Sequence, residues 1–73
     1  MKHAARIGPM VISSDYPYIL YGDVRGLVSH HRTLTGARRA ADADHHGCHT
    51  QGGYSDAMIY EWLEAQWLPV VEA

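Results

Sequence analysis

The densest group of potential metal ligands and nucleophiles lies in the segment DADHHGCHT, residues 42 to 50. It holds His45, His46 and His49 together with Cys48, the single cysteine of the chain. Zinc takes imidazole nitrogen and thiolate sulfur in a tetrahedron, and these four side chains would be its ligands. In a continuous helix, the spacing of three residues to Cys48 and four to His49 would place both on the face of His45.

A metal site is nevertheless not the interpretation that the sequence favours here. Gly47 is expected to end the helix, and the segment lacks the paired ligand spacing of structural zinc sites. Histidines in the last turn of a helix face the negative end of its dipole, which favours their charged form. This interaction accounts for histidines at such a position without any metal. We therefore predict neither metal nor cofactor, and the alternative is a small metal-binding protein that uses His45, His46, Cys48 and His49.

Cys48 could instead be a nucleophile, which would require a base in reach and a third group that orients this base. His49 is its neighbour in the sequence, but adjacency says little about contact between the two side chains. The chain has no glycine-rich phosphate loop and no motif of paired carboxylates. Because a lone cysteine is more often a small buried hydrophobic residue, we expect no catalytic residue and no enzymatic activity.

Two further groups of residues could bind a partner. The basic residues around the start of the predicted helix could contact the phosphates of nucleic acid, and they are Arg32, Arg38 and Arg39. A formal net charge of -2 would make this binding weak, so it is the less favoured hypothesis. The large aromatic residues could stack on bases, but we favour the core and an interface between subunits. These residues are Tyr16, Tyr18, Tyr21, Trp62 and Trp67.

Apolar patterns predict the elements that position these groups. YPYILYG, residues 16 to 22, has the aromatic and branched content of a strand, and LVSHH, residues 27 to 31, can return beside it as a hairpin. Thr33 is the expected N-cap of a helix that ends at Gly47. The apolar stripe of this helix recurs at helical spacing and consists of Leu34, Ala37, Ala40 and Ala41.

The last third of the chain is compatible with two structures. SDAMIYEWLEAQWLP carries apolar residues near one helical face, with Ser55 as a cap and Pro69 as a stop. Residues 57 to 62 and 67 to 71 could instead pair as antiparallel strands, although the intervening LEAQ is poor turn chemistry. Local propensity leaves the two alternatives nearly even.

The ending GGYSDAMIYEW, followed by WLPV, resembles the last third of small uncharacterised proteins of phages and integron gene cassettes. In those proteins a Gly-Gly loop after a helix leads to Tyr-Ser-Asp, a strand, a turn and a Trp-x-Pro-Val strand. The positions that match are Gly52, Gly53, Tyr54, Ser55, Asp56, Ile59, Tyr60, Trp67, Pro69 and Val70. The resemblance implies two strands, hence a ββαββ fold, and a mobile genetic element as the source, but no activity.

These elements predict one small α+β domain over residues 1–73, with one helix across an antiparallel sheet and residues 1–9 loosely ordered. A hairpin with two helices is the alternative fold. The chain has no apolar stretch near the ~20 residues that span a membrane. Its single cysteine suits a reducing compartment, so we expect a cytoplasmic protein.

Self-association is expected from the size of the chain. A domain of 73 residues has a thin core, and both sides of the YPYILY strand carry large side chains. One helix would leave one side of the sheet uncovered, and a second copy could cover it. We therefore predict a non-enzymatic interaction module that forms a symmetric dimer through its aromatic residues, with a host protein as a further candidate partner.

Overall fold

The computed structural model describes residues 3–22, 26–50 and 57–70, and for residues 47–50 it describes the backbone alone. These residues form six strands and one helix. The elements in chain order are β1 (His3–Ile7), β2 (Met10–Ser14), β3 (Tyr18–Gly22), β4 (Gly26–His31), α1 (Leu34–Thr50), β5 (Ala57–Leu63) and β6 (Gln66–Pro69).

Four strands form an antiparallel sheet in the order β4-β3-β5-β6. The predicted hairpin of β3 and β4 is present, and β3 pairs on its other side with β5, where Leu20 lies opposite Ile59. The predicted strand pair in the last third is confirmed as β5 and β6, with Trp62 opposite Trp67. The alternative of a hairpin with two helices is therefore wrong.

The chain begins with a second sheet, the two-stranded hairpin of β1 and β2, which was not predicted from the sequence. Residues His3–Ile7 are a strand rather than a loosely ordered segment. The turn between Ile7 and Met10 contains Gly8 at φ +59°, as a type II′ hairpin turn requires at its first central position. The α+β class with one helix is confirmed, but the ββαββ layout is incomplete because it lacks this hairpin.

Other elements of the chain pack against both faces of the four-stranded sheet. Successive residues of its central strand point to opposite faces, so each face has its own core. Leu20 is fully buried on the helix side, where it packs with Ala37 and Ile59. Ile19 is fully buried on the other side, where it packs with Ile12 of the β1–β2 hairpin. The face that was expected to remain uncovered is therefore covered by the chain itself, and the main reason for predicting a dimer is lost.

The start of the helix agrees with the prediction. The backbone N–H of Gly36 donates to Thr33 Oγ1 over 3.1 Å, which is the N-cap interaction. The predicted stripe packs against the sheet and consists of Leu34, Ala37, Ala40 and Ala41. No helix within the described residues is long and apolar enough to cross a membrane.

The expected end of the helix at Gly47 is wrong, since the backbone remains helical to Thr50. A glycine weakens a helix interior by about 1 kcal/mol relative to alanine, but it does not by itself end the helix. From Asp42 onward, no described helix residue belongs to either core cluster. The second half of α1 therefore owes little of its stability to packing on the sheet.

Both edges of the four-stranded sheet are interrupted. On β4, Leu20 lies opposite Ser29 and Tyr21 lies opposite Leu27, so the residue between them forms a bulge. On β6, the N–H of Val70 donates to the carbonyl of Ile59 over 2.9 Å. Along a strand at the edge of an antiparallel sheet, successive N–H groups point alternately toward the neighbouring strand and away from it. Pro69, which precedes Val70, therefore takes a position at which an N–H would point away from β5, and proline has no N–H to offer there. Both features disfavour pairing with a strand of another molecule.

Candidate functional site

The helix covers only part of its side of the sheet. Its main contacts are with β5, β3 and β4, and Leu63 and Leu68 are 47% and 36% exposed. Leu68 lies opposite Glu61 and Leu63 opposite Gln66, so the two leucines are diagonal neighbours whose side chains can touch. We name this surface the open strip, and it consists of Tyr18, Glu61, Leu63, Gln66 and Leu68.

Two polar members of the open strip, Tyr18 and Glu61, hold each other in place. Tyr18 lies opposite Glu61 in the β3–β5 ladder, and its hydroxyl donates a hydrogen bond to the Glu61 carboxylate. This bond, then burial and the negative charge of Glu61, raise the pKa of Tyr18. Glu61 is thus a fixed negative charge beside Leu68, and the exposed Glu64 in the following turn adds a second one. The open strip is apolar in its middle and acidic along its border.

The turn that ends the open strip is strained. Glu64 and Ala65 have φ angles of 52° and 60°, as in a two-residue type I′ hairpin turn. A side chain with a Cβ pays about 1–2 kcal/mol for this conformation, which is why such turns prefer Asn-Gly. LEAQ is poor turn chemistry, as expected from its residues, and the pairing of β5 with β6 imposes the turn nevertheless.

A second group of polar residues joins the end of β2 to the end of β4, on the hairpin side of the sheet. Ser14 is fully buried, and its Oγ lies 2.6 Å from Nδ1 of His30 and accepts the N–H of Tyr16 over 3.0 Å. The His30 ring meets the Tyr16 ring edge-on, with centroids 6.3 Å apart. The guanidinium of Arg32 lies over the same ring, 5.4 Å from its centroid. We name these four residues the Tyr16 cluster.

A second serine–histidine pair lies on the opposite face of β4. Ser29 Oγ and His31 Nε2 are 2.7 Å apart, and burial, followed by the charge of His30, lowers the pKa of His31. Among the described residues nothing is hydrogen-bonded to the other ring nitrogen of His31, so the third group that would orient a catalytic base is missing there. In the first pair, the Ser14 hydroxyl is buried and out of reach of a substrate.

The predicted interface residues fall into two classes. Tyr21 and Trp67 belong to the core on the hairpin side, each 5% exposed, and Trp62 packs against them. They are core residues of a single chain, and the β1–β2 hairpin, which the sequence analysis lacked, is what buries them. Tyr16 and Tyr18 are both half-buried: Tyr16 lies in the Tyr16 cluster, and Tyr18 lies in the open strip.

The predicted arginines are not brought together. Arg32 belongs to the Tyr16 cluster, whereas Arg38 lines a cavity of about 310 Å³ between α1 and β5. Asp42 lines the same cavity, whose remaining walls are mostly alanine and aliphatic side chains. Arg39 is exposed on the helix. A common phosphate-binding patch of all three arginines is therefore not formed.

The candidate metal ligands lie partly outside the described side chains, since those of Cys48 and His49 are not described. His45 and His46 are both exposed on α1. Among the described residues no group of three or more histidine, cysteine or acidic side chains could hold a metal ion. The helix does continue through this segment, so Gly47 is no longer an argument against the site, and the absence of tightly bound metal stays a prediction.

Comparison of the chain with protein-family models, curated proteins and solved structures gives no match. The resemblance to phage and integron-cassette proteins thus stays a prediction. Of the open strip, only Tyr18 was predicted at an interface. Leu63 was assigned either to the apolar face of a helix or to the LEAQ turn, and Leu68 either to a helix or to a strand. The pairing partners of Glu61 and Leu63 would have been needed to find the strip.

Proposed function

We propose that the protein is a non-enzymatic interaction module that binds another protein through the open strip. The observation that carries this proposal is the exposed pair of Leu63 and Leu68 beside the acidic Glu61, on a sheet whose other face is covered. Full burial of a leucine side chain is worth roughly 1.5–3 kcal/mol. Two adjacent leucines on a rigid sheet therefore offer a partner apolar contact at small cost in ordering.

The strained turn next to the leucines supports the same surface. Backbone strain tends to be retained where it serves a binding site, because selection for stability alone would remove it. Glu64 and Ala65 keep left-handed conformations that Asn and Gly would adopt at lower cost. The turn sets the register of β5 and β6 and so holds Leu63 and Leu68 side by side.

The charges around the strip favour a partner whose apolar side chains are flanked by lysine or arginine. Glu61 and Glu64 form the acidic border, and a basic partner would complement them. A second copy docked by twofold symmetry would bring the glutamates of both chains together, which is unfavourable. A host protein is therefore the favoured partner, and the dimer is the second outcome of the test.

The setting that fits this proposal is a cytoplasmic protein of a mobile genetic element that acts on its bacterial host. The resemblance to phage and integron-cassette proteins implies such an element, and the single cysteine suits a reducing compartment. No catalytic residue is required for this role.

A photo-crosslinking amino acid placed at Leu68 would test the proposal in bacterial cells. We expect a crosslinked partner from this position that disappears in the variant Leu63→Lys, because a lysine there removes an apolar contact and repels the basic residues of the partner. The same amino acid at Val11 is the control, since Val11 is 60% exposed on the hairpin instead. Equal crosslinks from both positions would contradict the proposal, and a crosslink to a second copy would establish the dimer.

A further inference from the structure

The Tyr16 cluster gathers residues that no motif of the sequence joins. Arg32, His30 and Tyr16 converge on one surface, and the buried Ser14 fixes them from below. From this arrangement we infer that the cluster is a binding site for a phosphate group. The inference is independent of the open strip, which lies on the helix side of the sheet and uses other residues.

The hydrogen bonds of Ser14 favour one tautomer of His30, because a buried hydroxyl hydrogen needs an acceptor. The Ser14 Oγ accepts the N–H of Tyr16, and in the described residues the only acceptor for its own hydrogen is Nδ1 of His30. A neutral imidazole that accepts at Nδ1 carries its proton on Nε2. His30 is an exposed residue, so its Nε2–H is a donor of fixed orientation available to a ligand.

The Tyr16 ring fixes the orientation of Arg32. The guanidinium lies over the ring, and within the described residues this is its only interaction. A guanidinium that stacks on an aromatic face keeps its N–H groups at the edge, where they can bind two oxygens of a phosphate. Holding the side chain in advance lowers the entropy that binding would cost.

The charges of the site favour an anion. The members of the cluster include no carboxylate, and Asp15, which precedes Tyr16, is exposed and forms no ion pair with Arg32 among the described residues. Helix α1 begins two residues after Arg32, so the positive end of its dipole adds to the potential nearby. The overall net charge of -2 works against tight binding, so we expect millimolar affinity at physiological salt.

The shared chemistry of the ligand is a phosphate group with two or more oxygens open to Arg32 and His30. It could belong to a free phosphate monoester or to the diester backbone of a single-stranded nucleic acid. In the second case Tyr16 could contribute little stacking, because Arg32 already lies over its ring and His30 meets its edge. We therefore expect weak dependence on the sequence of the bases.

Titration of the full chain with inorganic phosphate, followed by nitrogen–proton NMR spectra, would test the inference. We expect saturable shifts at Arg32, His30 and Tyr16 that sodium chloride of equal ionic strength does not produce. A parallel titration with a short oligothymidylate separates the two sources of phosphate: saturation there at lower concentration indicates a diester backbone, and the reverse order indicates a monoester. Either order supports the site, whereas shifts no larger than those from sodium chloride would overturn it.

Matched variants make the test specific. Arg32→Gln is expected to weaken phosphate binding by about tenfold, because it removes a charge-assisted contact. Arg39→Gln is the control, because it removes one exposed arginine from α1, and it should change the affinity less than about twofold. An equal loss of affinity in both variants would mean that phosphate binds only through general electrostatic attraction and would contradict the site. Long-range nitrogen–proton spectra of His30 check the tautomer, and a proton on Nδ1 in the neutral form would contradict the proposed donor.

Discussion

The two faces of the four-stranded sheet are covered by different means, and the difference explains where a partner can bind. On the helix side the contacts of α1 are made mainly by small residues, among them Ala37, which is fully buried. Alanines let the helix approach closely, but their short side chains cover only a narrow band of the sheet. On the hairpin side the cover consists of large aromatic and aliphatic side chains. The open strip is therefore found on the helix side.

Aromatic contacts bind the hairpin side together. The Trp67 indole N–H donates to the carbonyl of Ile12 over 3.0 Å, which joins β6 to β2. The rings of Trp62 and Trp67 meet nearly at right angles, with centroids 4.9 Å apart. His3 of β1 lies against Trp62 at a centroid distance of 4.9 Å. These contacts hold a two-stranded sheet that would be at best marginally stable alone.

The largest predicted effect compares neighbouring residues of β6 that point to opposite faces. Trp67→Ala should lower the free energy of unfolding by about 3–5 kcal/mol, because it opens a cavity in the core of the hairpin side. Leu68→Ala should cost less than about 1 kcal/mol, since this leucine is already partly exposed. Urea denaturation measures both changes.

Trp67→Ala removes enough free energy to unfold a small domain, so a milder variant accompanies it. Trp67→Phe keeps an aromatic ring but loses the hydrogen bond to Ile12, and its cost should lie between those of the two alanine variants. Equal costs for Trp67→Ala and Leu68→Ala would break the comparison of the two faces.

The close approach of the helix predicts a smaller effect. Ala37→Leu should lower the free energy of unfolding by about 1–3 kcal/mol, because the larger side chain has no room against Leu20 and Ile59. Ala43→Leu is the control on the exposed side of the same helix, and its effect should stay near zero. Thermal unfolding followed by circular dichroism compares them. Similar losses in both variants would mean that the helix is not closely packed.

In the two hairpin turns, replacing glycine by alanine and replacing alanine by glycine should change the free energy of unfolding in opposite directions. Gly8 has φ +59° and no atom within 4 Å of the position of an added Cβ, so Gly8→Ala should cost about 1 kcal/mol through the backbone alone. Ala65→Gly removes a strained Cβ and should stabilise the protein by about 1 kcal/mol. Urea denaturation detects both.

The smallest predicted effect is the pH dependence of stability that comes from His31, at the end of β4 that the helix covers. Burial lowers the pKa of His31 in the folded protein, so the unfolded chain binds more protons below pH about 6.5. Stability should therefore fall as the pH drops through this range, and His31→Gln should make the fall shallower. Unfolding free energies measured between pH about 7 and 5 give the slope.

Ser29→Ala separates the two features of His31. It removes the hydrogen-bond partner of Nε2 but leaves the ring beneath the helix, so the slope should persist if burial is the main cause. A slope lost in Ser29→Ala would show that the hydrogen bond, and not the cover by the helix, keeps His31 neutral.

Local patterns predicted those elements whose signals do not depend on distant residues. The cap at Thr33 and the stripe from Leu34 to Ala41 follow from helical spacing, and the strand at Tyr18–Gly22 follows from its aromatic and branched content. The β1–β2 hairpin was missed although Gly8 and Pro9 form a two-residue loop between HAARI and MVISS. The two serine–histidine contacts were missed because no sequence motif joins the residues that form them.

The sequence by itself determined the α+β class, the helix start and the β3–β4 hairpin, because these depend on capping, alternation and turns between residues close together in the chain. For β5 and β6 local propensity left helix and strand nearly even, and only the resemblance favoured strands. Only the tertiary structure decided that the β1–β2 hairpin covers the second face, which brings Ile12 to Trp67 across 55 positions of the chain. It also decided that Leu63 and Leu68 stay exposed, since this depends on the width of sheet that an alanine-lined helix can cover. Burial is settled by what packs on a face, and local propensity contains no information about that.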